Sequence, residues 1–180
     1  MSKTVKFITM SAVLIALGVL FSMIMPRWVF TPMIAWVPAV HVPIFIACFI
    51  SPSMAILVSI GTTLGFATTG APPQLVARVA THLIFVVALA FYIKKYGMPK
   101  KIWHVAILGV AINIIHGIGE AVAMHLIFFS QMANPFTAIY LPLVLWMTVF
   151  GFSDFALAYL LYRRPVIKKL ILNYENANNK

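Results

Sequence analysis

The sequence is poor in acidic residues and in cysteine. Of its 180 residues only three are Asp or Glu, and charged residues of all kinds make up 9% of the chain. The single cysteine, Cys48, lies in an apolar run, so there is no disulfide framework and no cysteine spacing typical of a metal site. The sequence also lacks GxxxxGK(S/T), which excludes ATP binding through a P-loop, and the hydrolase motifs GxSxG and HExxH.

What the chain does contain is apolar sequence. Hydrophobic residues make up 63% of it, and the mean hydropathy is +1.02. A soluble domain of this size could not bury so much apolar surface, so we expect an all-α integral membrane protein. The net charge of +10 would suggest a nucleic-acid partner for a soluble protein. Because the cations cluster beside apolar runs, as they do around membrane spans, we expect no nucleic acid.

Six apolar runs predict six transmembrane helices in a single domain that covers residues 1–180. Four of the runs are long enough to cross a hydrocarbon core of about 30 Å. The second and third are short and are joined only by SPS (51–53), so they form two brief spans or a partly re-entrant pair; we take two spans. The runs cover approximately 4–25, 38–50, 53–69, 73–93, 102–129 and 138–162.

The basic residues predict the orientation of these spans. With six spans, the lysines at 3 and 6, those between 94 and 101, and the basic residues from 163 to 169 fall on one side of the membrane. The positive-inside rule makes that side cytoplasmic, so we expect both termini in the cytoplasm. Segment 26–38 then becomes a long outer loop, and 165–180 a polar cytoplasmic tail.

Arg78 and Glu120 are ionisable residues inside predicted spans. A charge at the centre of a span costs at least ~2.5–3.5 kcal/mol on insertion scales, so each should face protein or a wet cavity. Gln74 and His82 lie four residues before and after Arg78 and share its helical face. The fourth run therefore carries a polar stripe that opens toward the outside.

The fifth run carries a second stripe. Its members recur at helical spacing and are Asn113, His116, Gly117, Glu120 and Met124. One interpretation of the two stripes is a structural ion pair that lets both helices insert. The other is an outward-opening pocket in which an arginine binds an anionic group bidentately. We prefer the pocket, because an ion pair alone does not require histidines and amides in the same register.

Asp154 and the outer loop each admit two interpretations. Asp154 is expected to make a helix-packing contact or to pair with the cytoplasmic basic residues. His41 either caps the pocket or packs elsewhere. The loop aromatics Trp28, Phe30 and Trp36 are typical of an interfacial belt, and a lid over a small ligand is the alternative.

These stripes favour binding and transport over catalysis. No activated nucleophile accompanies them, and a small membrane enzyme that acts on a lipid headgroup is kept as the alternative. No selectivity filter or ring of like charges predicts a channel. We expect no catalytic residue, cofactor or metal in this chain. We expect instead that a small anionic ligand enters from outside and binds between the fourth, fifth and sixth spans.

Ala12 and Ala16 form an AxxxA pattern in the first run, and small residues four apart let another helix pack closely. Together with about 180 residues, six spans, a long first outer loop and no ATPase motif, this pattern resembles the S components of energy-coupling factor (ECF) vitamin transporters. The resemblance covers the whole chain at the level of architecture and includes the stretches HVPIFIACFISP and GTTLGF.

The resemblance implies a division of labour between this chain and its partners. An S component captures a vitamin, while a transmembrane scaffold subunit and two ATP-binding-cassette ATPases complete the transporter, so ATP is used by the partners. It implies that Ala12 and Ala16 dock on the scaffold and that loop 26–38 gates a vitamin site in the outer half. The resemblance assigns the following residues to that vitamin site: Gln74, Arg78, His82, Asn113, His116 and Glu120, with Trp36 and His41 beside them.

Two vitamins that carry a carboxylate remain as candidate ligands. An arginine and an asparagine in the pocket resemble the pantothenate-type S components, which makes pantothenate the preferred ligand. Niacin, a smaller aromatic carboxylate, also suits Arg78 and could stack on Trp36. Thiamine is disfavoured because its positive charge would meet an arginine. The resemblance places the chain in a bacterial cell membrane.

Overall fold

The computed structural model describes residues 2–31, 34–169 and 171, without the side chains at 30, 31, 34 and 35. In chain order its elements are α1 (Lys3–Ile24), β1 (Trp28–Thr31), β2 (Ile34–Trp36), α2 (Val42–Ile50), α3 (Pro52–Ala67), α4 (Pro73–Tyr96), α5 (Ile102–Phe128), a π-helical segment (Phe136–Tyr140) and α6 (Leu141–Tyr162). Residues 165–169 are helical, and most of the predicted tail beyond them lies outside the described residues.

Within the described residues, four helices are long and apolar enough to cross a membrane. They are α1, α4, α5 and the helix that runs from Phe136 through α6, with 22, 24, 27 and 27 residues. The expectation of a helical membrane protein is confirmed at this level. Helix α2 has nine residues and, at about 14 Å, cannot alone cross a core of about 30 Å. The six-span count therefore stays a prediction.

Consecutive helices run in opposite directions, so their ends meet at two ends of the bundle. Lys3, Ser51 and Lys94 line one groove, which brings together the starts of α1 and α3 and the end of α4. At the opposite end, Arg27 and Leu75 line one cavity, beyond the end of α1 and near the start of α4. We call these the basic end and the hairpin end.

The SPS stretch separates α2 from α3 through local chemistry. Ser51 is extended (φ −165°, ψ 151°), and its hydroxyl accepts a hydrogen bond from the backbone N–H of Met54 at 3.2 Å. Pro52 stands in the first turn of α3, where its missing N–H removes no helical hydrogen bond. The chain therefore reverses at the basic end within two residues.

The predicted outer loop folds back onto the bundle as a two-stranded antiparallel hairpin. Trp28 pairs with Trp36 and Val29 with Ala35 across β1 and β2. Strand β2 contacts α6, which brings Trp36 against the bundle. The loop is thus a structured cover for the hairpin end.

Aromatic side chains lock α2 between α4 and α6. The ring of Phe45 lies 5.5 Å from that of Phe85 and 5.3 Å from that of Phe155, and all three side chains are buried. Each such pair contributes about 0.5–1.5 kcal/mol beyond the area it buries. These contacts fix the start of α2, where His41 lies, inside the bundle.

Helices α5 and α6 approach each other closely at Gly117. A Cβ atom added there would lie 2.7 Å from Cα of Val144 on α6, closer than the packing allows. The sequence predicts that Gly117 admits a helix or a ligand, and in the structure it admits the backbone of α6.

Helix α1 packs on α2 and α3 along one face only. Ser11, Leu14 and Gly18 are buried on that face. Ala12 and Ala16 lie on the exposed face, where no described residue covers them. This placement leaves the AxxxA pattern accessible to another helix.

Candidate functional site: a small cavity under the hairpin

A cavity of about 90 Å³ lies at the hairpin end of the bundle. Every helix and the segment around the hairpin contribute to its lining, which is mainly apolar with a few polar groups, the composition typical of small-molecule sites. The polar and aromatic residues that line it include Arg27, Trp36, His41, Arg78, His82, Glu120 and Phe150.

Arg78 and Glu120 form a buried ion pair on the wall of this cavity. Nε and Nη2 of Arg78 donate to Oε2 of Glu120 at 2.9 and 2.7 Å. The two residues are 8% and 3% exposed. Because neither charge could be buried alone without a cost of several kcal/mol, each depends on the other for insertion. The packing of α4 on α5 brings the two predicted stripes into contact at this pair.

Two histidines complete the surroundings of Glu120. Its Oε1 atom lies 3.1 Å from Nε2 of His116 and 3.4 Å from Nε2 of His82. His116 precedes Glu120 by one turn of α5, and His82 follows Arg78 by one turn of α4. The Glu120 carboxylate is therefore contacted by side chains from both α4 and α5, and these contacts fix its position.

Asp154 holds the start of α2 in the interior of the bundle. Its carboxylate accepts hydrogen bonds from the backbone N–H groups of Ala39 (2.9 Å) and His41 (3.2 Å) and lies 2.9 Å from Nδ1 of His41. Negative charge at a helix N-terminus is favourable. Of the two roles expected for Asp154, a pairing with cytoplasmic basic residues is wrong. The structure shows the other, a contact between packed helices, because the carboxylate on α6 binds the start of α2. His41 consequently lines the cavity.

An aromatic wall faces these polar groups. The ring of Trp36 stacks on that of Phe150 at 4.7 Å with planes 10° apart, and Phe150 stacks on Trp146 at 5.0 Å. Trp28 meets Trp36 edge-on at 5.0 Å. Trp36 is therefore part of the cavity wall and not only of an interfacial belt; the side chain of Phe30 lies outside the described residues.

Three of the predicted site residues are absent from the lining of the cavity: Gln74, Asn113 and His116. His116 is buried behind the lining, where it contacts Glu120. Gln74 is exposed at the start of α4 and is absent from the lining. Asn113 is buried at the α5–α6 contact, where its Nδ2 donates to the carbonyl of Gly109 at 2.8 Å and its amide lies against Gly151. Gln74 and Asn113 each share a helical face with residues of the site, but each lies at a different height along its helix axis. For Asn113 the structure shows a packing role.

Arg27 and Phe150 are cavity residues that sequence reasoning does not assign to the site. Arg27 lies just beyond α1, is exposed, and lines the mouth of the cavity. The signal for Arg27 is present in the sequence, because it is the single cation in the predicted outer loop. Phe150 gives no such signal, since it resembles every other apolar residue of its run.

Comparison with known proteins gives one relative with a named activity. Over 132 residues the chain is 31% identical to the niacin transporter NiaX of Lactococcus lactis subsp. cremoris (strain MG1363). The matched region is 72% of this chain but 59% of the relative, so the chain spans less than two thirds of the length of that protein. No family model and no solved structure matches. The chain is thus a helical membrane protein similar to a niacin transporter, with an arginine–glutamate pair in the wall of its cavity.

Proposed function

We propose that this chain is the substrate-binding membrane subunit of an ECF-type importer and that it takes a small carboxylate vitamin of the niacin class. The observation that carries the proposal is the buried guanidinium of Arg78 on the wall of a small, mostly apolar cavity. The similarity to a niacin transporter supports the choice of ligand.

A carboxylate is the ligand that this cavity suits best. The buried guanidinium of Arg78 needs a negative group beside it. In the structure Glu120 is that group, and a ligand carboxylate can share or take over the guanidinium donors. Arg27 at the cavity mouth adds a second guanidinium that draws anions toward the entrance.

Niacin fits the remaining features better than pantothenate does. The cavity is small, and the aromatic residues Trp36 and Phe150 lie in its lining and stack on each other. A single aromatic ring that carries a carboxylate can stack on this wall while its charge reaches Arg78. Pantothenate is a longer, flexible chain without a ring, and the comparison with known proteins does not support the preference for it.

The proposed partners are an ECF transmembrane scaffold subunit and two ATP-binding-cassette ATPases. In this arrangement both termini and the basic end face the cytoplasm, and the hairpin end faces outward. Ala12 and Ala16, exposed on α1, dock on the scaffold. This chain then captures the vitamin, and the partners use the ATP; it is not itself an enzyme.

Equilibrium binding to the isolated chain tests this function. The purified protein in detergent, without nucleotide, should bind radiolabelled nicotinate, with unlabelled nicotinate competing and nicotinamide competing poorly. Pantothenate serves as the second carboxylate competitor. Binding of radiolabelled pantothenate with no binding of radiolabelled nicotinate would reverse the choice of vitamin. Hydrolysis of a lipid by the pure protein, with no binding of either vitamin, would favour the membrane-enzyme alternative.

A further inference from the structure

Three histidines from three helices converge below the cavity. His41 from the start of α2, His82 from α4 and His116 from α5 are 8%, 5% and 1% exposed. Their ring centroids lie 4.7–4.9 Å apart in all three pairs. One ring nitrogen of each lies within 4.8 Å of the corresponding nitrogens of the other two. An Arg78–Glu120 ion pair by itself does not require this convergence.

Each of the three rings has one nitrogen directed at a carboxylate. Nδ1 of His41 contacts Asp154, and Nε2 of His82 and of His116 contacts Glu120. Because an ionised carboxylate only accepts, these nitrogens carry the ring protons. In a neutral imidazole the opposite nitrogen then carries a lone pair. Within the described part of the chain, Nδ1 of His82 and Nδ1 of His116 are buried without a hydrogen-bond partner.

We propose that these three lone pairs, Nε2 of His41 and Nδ1 of His82 and His116, bind a divalent transition-metal ion. Imidazole nitrogens suit zinc, copper, iron and nickel, and three histidines are a common zinc set. Nitrogens around a tetrahedral zinc are roughly 3.4 Å apart, since each metal–nitrogen bond is about 2.1 Å. Ring nitrogens of the three histidines lie within 4.8 Å of one another, so the rings must rotate and move closer to bring the three lone pairs to that spacing.

The carboxylates around the cluster are those that a metal site needs. A histidine that binds a metal usually donates its other ring N–H to a carboxylate, which orients the ring and raises its basicity. Asp154 has this relation to His41, and Glu120 has it to His82 and His116. The sequence predicts no metal site because these histidines come from separate runs and show no ligand spacing.

Charge and hydrogen-bond counting favour an ion over a water molecule. Among the described residues, the buried charged side chains are Arg78, Glu120 and Asp154, which sum to one negative charge when the histidines are neutral. One water molecule has two protons and cannot donate to three lone pairs, whereas a cation can accept all three. Because His41 and His82 line the cavity, the remaining coordination position of the ion opens into it.

Metal titration of the full chain tests this inference without any vitamin, so its outcome is separate from that of the proposed function. The tag-free protein in detergent, stripped with a chelator, is titrated with Co²⁺ by visible absorption and with Zn²⁺ by calorimetry. We expect one ion per chain. X-ray absorption of the zinc-loaded wild type should show imidazole ligands at about 2.0–2.1 Å.

Matched variants identify the ligands. His116→Ala should abolish or greatly weaken binding, whereas His125→Ala, a histidine of the same helix that contacts Tyr140, should bind as the wild type does. Asp154→Asn should weaken binding about 10–100-fold through loss of orientation of His41. Absence of stoichiometric metal in the folded wild type would overturn the proposal. So would equal affinities in the two histidine variants, or an absorption spectrum without imidazole ligands.

Discussion

At the scale of single residues, the central feature of the molecule is an arginine held stably inside the bundle. Arg78 is held by two hydrogen bonds to one oxygen of Glu120, and the other oxygen contacts His82 and His116. The pair thus explains how α4 and α5 insert. It also leaves the guanidinium at the cavity wall, where a ligand carboxylate can reach it.

Replacing Arg78 by lysine keeps the charge and removes the planar fork of donors. Arg78→Lys should weaken nicotinate binding by about 1–3 kcal/mol, the range for a charged hydrogen bond lost from a buried site. Isothermal titration of the purified protein measures this. Arg163→Lys, at the basic end, is the control and should leave affinity unchanged. An Arg78→Lys variant with wild-type affinity would show that bidentate binding plays no part.

The sequence predicts part of this site because helical spacing is a local property. Arg78 with His82, and His116 with Glu120, lie four residues apart, so each pair must share a helix face. The same spacing misleads for Gln74 and Asn113, because it fixes a face but not the depth at which a cavity opens. The contact between His41 and Asp154 joins residues 113 positions apart. No local pattern predicts it, since it depends on how the hairpin returns α2 into the bundle.

At the scale of elements, close helix approach is set by small residues. Gly117 permits the backbone contact between α5 and α6, and Ala12 and Ala16 leave a smooth exposed face on α1. The first contact is internal to the bundle and bears on stability. The second lies outside it and bears on association.

Gly117→Ala should destabilise the bundle, because the added Cβ would lie 2.7 Å from Cα of Val144, a backbone atom that cannot rotate away. We expect a loss of about 1–3 kcal/mol in the free energy of unfolding, the usual range for an overpacked contact. Unfolding in detergent measures it. Gly119→Ala is the control on the same helix, where the nearest atom is the flexible end of Ile84 at 3.3 Å. Equal losses in the two variants would contradict the close-packing account.

Ala12→Trp and Ala16→Trp should leave nicotinate affinity intact and abolish uptake by the assembled transporter. A bulky ring on the exposed face of α1 blocks a scaffold helix, while the cavity lies at the hairpin end of the bundle. Binding is measured on the isolated chain and uptake in vesicles that contain all subunits. Leu145→Trp, on an exposed position of α6, is the control. If binding and uptake fell together, the AxxxA face would support the fold and not the docking.

At the scale of the whole molecule, the helices sort their ends into a basic end and a hairpin end. The sequence predicts this sorting because, with six spans, the clusters of basic residues fall on one side of the membrane. The positive-inside rule assigns that side to the cytoplasm. The sequence also predicts that the second run is short, but it does not predict that α2 starts within the bundle, where Asp154 stabilises its N-terminus. Backbone that is not helical is tolerated at such depth where it is buried in protein or lines a cavity.

The basic end is predicted to face the cytoplasm. Lys100→Cys, placed in the connection between α4 and α5, should react with a membrane-impermeant thiol reagent only after cells are opened. A cysteine at Thr69, in the connection at the hairpin end, is the control and should react in intact cells. The buried native Cys48 should stay unlabelled in both cases. Labelling of Lys100→Cys from outside would invert the topology and place the cavity on the wrong side for import.

The most direct test of the central claim is a crossed binding experiment on the Arg78–Glu120 pair. Nicotinate and nicotinamide affinities are measured for the wild type, for Arg78→Ala and for the double variant Arg78→Ala with Glu120→Ala. We predict that the wild type prefers nicotinate strongly. We also predict that the double variant regains expression, because no unpaired charge is left, and still binds neither compound tightly. If the double variant recovers both expression and nicotinate affinity, Arg78 serves only to neutralise Glu120, and the proposal that it binds the vitamin carboxylate is refuted.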